Sequence, residues 1–135
     1  MAEKKKKILL IEDDQPTIEI YETVLRHAGF EVENAPTGRE ALEKIDKIRE
    51  KEGVRPDLVL LDLILPDVNG TEILKVLKGE GPLKTIPTFV LTNYTDPKLE
   101  KEIWKTGAEK FLVKTNCIPS QLVNIINKWF ENPEK

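Results

Sequence analysis

The segment Pro56-Asp-Leu-Val-Leu-Leu-Asp62 contains four consecutive aliphatic residues, Leu58–Leu61, and ends in a carboxylate. An unbroken aliphatic run of this length is typical of a strand buried on both faces, because a half-exposed strand alternates apolar and polar residues. Such strands occur mainly in parallel sheets that are covered by helices. The segment therefore predicts an α/β fold in which Asp62 lies at the carboxyl end of an inner strand.

The rest of the chain repeats this pattern on both sides of the segment. The predicted strands are Lys7–Ile11, Phe30–Asn34, Leu58–Leu61, Thr88–Leu91 and Phe111–Val113. Helices are predicted to begin near Pro16, Thr37, Thr71, Asp96 and Pro119. Five strand–helix repeats indicate one parallel sheet with helices on both faces. We expect a single domain over residues 1–135, with a core of about 7–130.

Bulk composition restricts the class of protein. The net charge of −3, from 21 basic and 24 acidic residues, argues against nucleic acid as a direct partner. No apolar run is long enough to cross a membrane or to serve as a signal peptide, so we expect a cytoplasmic location. The single Cys117 and the single His27 lack the neighbours that a cysteine or histidine metal site requires.

Reactive side chains follow four of the five predicted strands. The residues at these strand ends are Glu12, Asp13, Asp14, Asp62, Thr92 and Lys114. In an open parallel sheet, ligands bind beyond the carboxyl ends of the strands. The sequence therefore predicts a functional site at this edge of the sheet.

Glu12, Asp13 and Asp62 would crowd one pocket if the first and third strands are neighbours. Carboxylates that close together raise one another's pKa or require a counter-cation, and an all-oxygen ligand set suits Mg²⁺ when phosphate is also bound. For Asp14, capping of the following helix is the better interpretation. For Glu12 and Asp13 by themselves, capping and metal binding both stay open.

Lys114 and Thr92 would add a cation and a hydroxyl to the same edge. A lysine there can pair with a carboxylate and then with a phosphoryl oxygen. Taken singly, Lys114 is equally compatible with an ordinary surface lysine, and Thr92 with a hydroxyl that bonds the local backbone. The combination of these residues with the carboxylates, each at a strand end, indicates phosphoryl chemistry.

The sequence resembles a CheY-like receiver domain of two-component response regulators over about Lys7 to Phe130. The matching segments are Ile8-Leu-Leu-Ile-Glu-Asp-Asp14, Pro56-Asp-Leu-Val-Leu-Leu-Asp62, Leu65-Pro66 with Gly70, Ile86-Pro-Thr-Phe-Val-Leu-Thr92 and Gly107-Ala-Glu-Lys-Phe-Leu-Val-Lys114. The resemblance implies a flavodoxin-like (βα)5 three-layer sandwich with strand order 2-1-3-4-5. It also implies a signalling phosphoacceptor rather than an enzyme.

The resemblance assigns the acidic residues to phosphoryl transfer. Asp62 is the expected phosphoacceptor, which takes a phosphoryl group from a histidine kinase or a histidine phosphotransfer protein and forms an acyl phosphate. Asp13 is expected to bind Mg²⁺ directly and Glu12 through water, with Asp62 and the backbone carbonyl of Ile64 as further ligands.

The resemblance also assigns a conformational switch. Lys114 and Thr92 are expected to contact phosphoryl oxygens, and Thr92 to draw its loop inward. Phe111 is the expected switch aromatic, which rotates into the vacated space. The surface around helix 4, strand 5 and helix 5 would then control binding of a downstream partner.

Four positions depart from the family pattern or distinguish this chain. Thr115 follows Lys114 where a proline in a cis peptide is most common, and the sequence leaves open whether this bond is cis. Asn93 stands where a small residue is usual. Together with Tyr94 and Ile64, it is expected to hinder the water that attacks an acyl phosphate, which predicts slower self-dephosphorylation than in chemotaxis-type relatives.

Trp104 lies off the apolar face of the fourth helix, and two interpretations stay open. It either packs at the edge of its helix or contacts a partner, which includes a second copy of the chain in a homodimer through the helix 4 to helix 5 face.

Three other functions are alternatives to the receiver interpretation. An aspartyl phosphatase would carry its nucleophile after the first strand, whereas Asp62 follows the third. It would also carry an acid two residues after the nucleophile, and this chain has Ile64 there. A flavin binder needs a Ser/Thr/Gly-rich loop after the first strand, where this chain has carboxylates. A receiver that binds partners without phosphorylation stays open. The sequence names neither the kinase nor the effector, and it leaves open a longer parent regulator.

Overall fold

The computed structural model describes residues 4–79 and 81–131, and this part of the chain forms five strands alternating with five helices. The strands are β1 (Lys7–Ile11), β2 (Glu31–Ala35), β3 (Leu58–Leu61), β4 (Thr88–Thr92) and β5 (Lys110–Val113). The helices are α1 (Gln15–His27), α2 (Gly38–Arg49), α3 (Gly70–Lys78), α4 (Pro97–Thr106) and α5 (Pro119–Glu131). Short 3-10 helices lie at Pro82–Thr85 and Lys114–Asn116.

The five strands form one parallel sheet in the order β2-β1-β3-β4-β5, which confirms the predicted topology. In this sheet Ile11 pairs with Leu61, and Thr92 pairs with Val113. The residue that follows each strand is therefore set at one edge of the sheet. The prediction for β2 was displaced by one residue, since the strand runs over Glu31–Ala35 and Phe30 joins the core instead.

Helices cover both faces of the sheet, as the aliphatic run in β3 predicted. Val59 and Leu61 belong to the core layer under α2, α3 and α4, whereas Leu58 and Leu60 belong to the layer under α1 and α5. All four are completely buried. The alternate residues of one strand thus supply both cores, which fixes β3 at the centre of the domain.

Side chains at the carboxyl edge of the sheet satisfy the first N–H groups of the helices. The N-cap residues of α1 to α4 are Asp14, Thr37, Asn69 and Asp96. The capping role predicted for Asp14 is confirmed, because its carboxylate accepts from the Thr17 N–H at 3.2 Å.

A second acid, Asp67, reaches α2 from the loop between β3 and α3. Its carboxylate accepts hydrogen bonds from the N–H groups of Gly38 at 2.8 Å and Arg39 at 2.9 Å. These bonds, first that of Arg39 and then that of Gly38, hold the pKa of Asp67 below its ordinary value. The contact joins the loop after β3 to the start of α2, and no local sequence pattern indicated it.

Gly70 lets α3 begin directly against the backbone that follows β3. Its N–H donates to the Leu63 carbonyl at 2.9 Å. A Cβ at position 70 would lie 2.5 Å from the Leu63 Cα and 2.7 Å from the Asp62 carbonyl oxygen. Only glycine permits this approach, which sets the path of the chain just after Asp62.

We expect Gly70→Ala to lower the free energy of unfolding by about 1–3 kcal/mol, because the added methyl group must displace backbone atoms. Gly53→Ala is the matched control, since a Cβ there would meet nothing nearer than 3.6 Å. Urea unfolding of both variants measures the difference. Equal stability of the two variants would show that the backbone after Asp62 yields easily.

Candidate functional site

Three carboxylates converge at the edge of the sheet. Oxygen atoms of Glu12, Asp13 and Asp62 all lie within 4.8 Å of one another. Glu12 and Asp62 are only 2% and 7% exposed, whereas Asp13 is exposed. The pairing of β1 with β3 brings them together, and the Asp62 N–H donates to the Ile11 carbonyl at 3.0 Å. The predicted crowding of these three acids is therefore present.

Lys114 is the cation of this cluster. Its Nζ lies 2.5 Å from Glu12 Oε1 and 2.9 Å from Asp62 Oδ2. Burial lowers the pKa of Lys114, but the hydrogen bonds to Glu12 and Asp62 outweigh burial and leave the pKa above its ordinary value. Lys114 is thus held in its charged form between two carboxylates.

Burial is the largest of the influences on Glu12, and it raises the pKa of this carboxyl group. The hydrogen bond from Lys114 opposes that effect, and the nearby charge of Asp62 adds to it. The other Glu12 oxygen, Oε2, accepts from the Asp14 N–H at 3.2 Å. The side chain is therefore fixed from two directions at the base of the cluster.

Asp62 is held in a similar way, since its Oδ1 accepts from the Ile64 N–H at 3.1 Å while Oδ2 accepts from Lys114. Asp13 differs, because its side chain makes no hydrogen bond with any residue that the structure describes. Two fixed acids and one free acid, all with oxygen donors, form a ligand set that suits a hard divalent cation.

These residues line a cleft of about 430 Å³, called the acidic cleft below. Its lining residues are Glu12, Asp13, Asp14, Thr17, Asp62, Ile64, Thr92, Asn93, Tyr94 and Lys114. Thr92 is completely buried, and its Oγ1 accepts from the Tyr94 N–H at 3.2 Å. The Thr92 hydroxyl hydrogen remains available to an acceptor in the cleft.

The mouth of the acidic cleft combines apolar and amide groups. Ile64 is 58% exposed and Tyr94 is 42% exposed. Asn93 Oδ1 accepts from the Thr115 N–H at 3.1 Å, and no sequence pattern predicted this bond. The described residues contain no cis peptide bond, so the bond between Lys114 and Thr115 is trans.

Phe111 and Trp104 lie outside the acidic cleft. Phe111 is partly buried, packs against the core under α2, α3 and α4, and also lines a groove between β5 and α5. Trp104 is largely exposed, and its Nε1 donates to Glu100 of the same helix at 3.3 Å. Their assignments as switch aromatic and partner contact stay predictions.

With this geometry in view, comparison with known proteins defines the class. Residues 8–127 match the model of the response regulator receiver domain. The chain belongs to this family, whose members are signalling proteins with a phosphoacceptor role and bind Mg²⁺ or Mn²⁺ through acidic residues. The family interacts with histidine kinases and effectors.

Individual relatives agree with this assignment. The polar-differentiation response regulator DivK of Brucella anthropi is 32% identical over 114 residues, which cover 84% of this chain and 88% of that protein. The Mn²⁺-bound form of response regulator Rcp1 superposes with a TM-score of 0.81 at 28% identity, covering 93% of this chain and 94% of Rcp1. The phosphorylated cyanobacterial phytochrome response regulator RcpA superposes with a TM-score of 0.79 at 29% identity, covering 96% of both chains.

No helix in the described part of the chain is both long enough and apolar enough to span a bilayer.

Mg²⁺ is expected to stabilise the protein through the carboxylate cluster. At a concentration tenfold above its Kd, mass action adds about 1.4 kcal/mol to the free energy of unfolding. Asp13→Asn should remove most of this gain, since Asp13 belongs to the cluster. Asp14→Asn is the control and should keep the gain, because asparagine also caps a helix. Thermal unfolding with and without Mg²⁺ tests both, and equal gains in the two variants would contradict the assignment.

Proposed function

We propose that this chain acts as a cytoplasmic receiver in a two-component phosphorelay and that Asp62 accepts the phosphoryl group. The observation that carries the proposal is the position of Lys114 Nζ between the buried carboxylates of Glu12 and Asp62. A charged lysine in a half-enclosed cleft is suited to neutralise an incoming phosphoryl group.

The donor is a phosphorylated histidine of a sensor kinase or of a histidine phosphotransfer protein. A carboxylate oxygen of Asp62 attacks the phosphorus atom, and the bond between phosphorus and the imidazole nitrogen breaks. The electron pair stays on that nitrogen, and the product on Asp62 is an acyl phosphate. Lys114 exchanges its contact with Asp62 for a contact with a phosphoryl oxygen, so its charge follows the transferred group.

The carboxylate cluster would hold Mg²⁺ through Asp13 and Asp62 directly and through Glu12 by way of water. The backbone carbonyl of Ile64 would be a further ligand. The fit is supported by the all-oxygen donor set and by the free side chain of Asp13. When bound, Mg²⁺ reduces the repulsion between the acids and the incoming phosphoryl oxygens.

The signal would leave the site through Thr92. Its hydroxyl group is placed in the cleft and can donate to a phosphoryl oxygen, which would draw the start of the loop after β4 inward. Phe111 would then rotate into the vacated space. The surface formed by α4, β5 and α5, with the exposed Trp104, would control binding of an effector protein or of a second copy.

Intact-mass spectrometry after incubation with acetyl phosphate and Mg²⁺ tests the chemistry. We expect one added phosphoryl group in the wild-type chain and none in Asp62→Ala, because acetate leaves only when a nucleophile attacks the phosphorus. Asp57→Ala is the control, because it removes a carboxylate outside the cleft, and this variant should still take up one phosphoryl group. Absence of any addition to the wild-type chain would favour a receiver that acts without phosphorylation.

The acyl phosphate is expected to hydrolyse slowly. Ile64 is apolar and cannot orient a water molecule, and the Asn93 side chain is directed toward Thr115, whose N–H its Oδ1 accepts. Ile64→Asn should therefore shorten the lifetime of the phosphorylated protein roughly 2–10-fold, the effect of one hydrogen bond in the transition state.

The measurement is phosphate release from the purified phosphorylated protein. Val54→Asn is the matched control, since Val54 is 63% exposed and lies outside the acidic cleft, so its lifetime should equal that of the wild type. Loss of the phosphoryl group from the wild-type chain on the timescale of a minute would contradict slow hydrolysis.

A further inference from the structure

A single hydrogen bond joins the loops that follow β4 and β5. Asn93 directly follows Thr92, and its Oδ1 accepts from the backbone N–H of Thr115, which directly follows Lys114. The two partners are 22 residues apart in the chain, so the bond is a tertiary contact. We call this contact the Asn93–Thr115 latch, and each end of it is covalently adjacent to a residue of the acidic cleft.

The Thr115 N–H is available because of its position. It lies in the first turn of the 3-10 helix Lys114–Asn116, where amide donors have no acceptor inside the helix. The bond of the helix itself runs from the Cys117 N–H to the Lys114 carbonyl at 3.2 Å. Asn93 can accept only through Oδ1, so the identity of the donor fixes the orientation of the amide.

The latch requires two residues that both depart from the receiver pattern. Proline, which the resemblance leads one to expect after Lys114, has no N–H to donate. A small residue, which is usual after Thr92, has no side-chain amide to accept the bond. Asn93 and Thr115 therefore act as a pair, in which each departure gives the other its hydrogen-bond partner.

We propose that Asn93 is a positioning residue that keeps Thr92 and Lys114 at a fixed separation across the acidic cleft. The proposal rests on the proposed function of Asp62. During phosphorylation Lys114 gives up its contact with Asp62 Oδ2, so the side-chain anchor of its loop changes. The latch is made by the backbone N–H of Thr115, so it does not depend on the Lys114 charge. It would hold the Lys114 segment beside β4 while that exchange occurs.

The latch also restrains the loop after Lys114 in the absence of a rigid proline. A proline restricts its loop through its ring, whereas the latch restricts the same loop through a contact with a neighbouring one. The difference has a functional meaning, because the latch links the lysine loop to the threonine loop and a proline does not. Movement of one loop is therefore coupled to movement of the other as long as this hydrogen bond persists.

The rate of acyl phosphate formation from acetyl phosphate at saturating Mg²⁺ tests the latch in the full chain. Asn93→Ala removes the acceptor and Thr115→Pro removes the donor. The proline ring restricts the Lys114 loop but cannot link it to the Thr92 loop, so each variant should slow the reaction roughly 2–10-fold, the effect of one hydrogen bond. Thr115→Ala keeps the N–H and should react like the wild type. The double variant Asn93→Ala/Thr115→Pro should be no slower than either single variant, because both remove the same bond.

The Mg²⁺ concentration that gives half the maximal rate is a second measurement. It should be unchanged in Asn93→Ala, because the carboxylate cluster lies on the loops after β1 and β3. General loosening of the fold would raise it. If Thr115→Pro fails to fold, the comparison of Asn93→Ala with Thr115→Ala decides.

Three results would overturn the latch: a wild-type rate for Asn93→Ala, a rate for Thr115→Ala as low as that for Asn93→Ala, or multiplied effects in the double variant. Failure of the proposed function looks different, since the wild-type chain itself would then take up no phosphoryl group. A phosphorylated wild type with an unaffected Asn93→Ala would refute the latch alone.

Discussion

The contact of Lys114 with Glu12 and Asp62 is the interaction on which the carboxyl edge of this domain depends. Two acids this deeply buried would repel each other and lose their hydration, and one lysine between them offsets part of both costs. The three residues directly follow β1, β3 and β5, and Lys114 is 102 residues from Glu12. The sheet must therefore be complete before the three side chains can meet, so the site exists only in the folded domain.

The same arrangement explains how a receiver can remain folded and still be ready to react. Lys114 neutralises part of the acidic charge in the structure described here, and Asp13 stays free beside it. In the proposed function, a phosphoryl group would change the partners of Lys114 while the strands beneath keep their pairing. The first residues affected would be those at the ends of β4 and β5, where Thr92, Asn93 and Lys114 lie.

The sequence predicted the strands, the helix starts and the residues at the strand ends, because each depends on local pattern. The aliphatic run in β3 indicated burial on both faces, and strand order followed from the family resemblance. The bonds of Asp67 to α2 and of Asn93 to Thr115 could not be predicted, since they join loops whose separation is set only by packing. The sequence shows that position 115 is threonine and not proline, but it does not show that the Thr115 N–H bonds to Asn93.

The carboxylates at the N-terminal ends of the helices affect which ligands this edge of the sheet can bind. In many α/β proteins these positive helix ends at the carboxyl edge of the sheet bind the phosphates of nucleotides. Here Asp14, Asp67 and Asp96 occupy the ends of α1, α2 and α4 with their own carboxylates. These three helix ends already bond carboxylates of the protein, which leaves them poorly suited to bind nucleotide phosphates through helix dipoles. An edge of a parallel sheet that often serves phosphate binding is here lined by the protein's own acids.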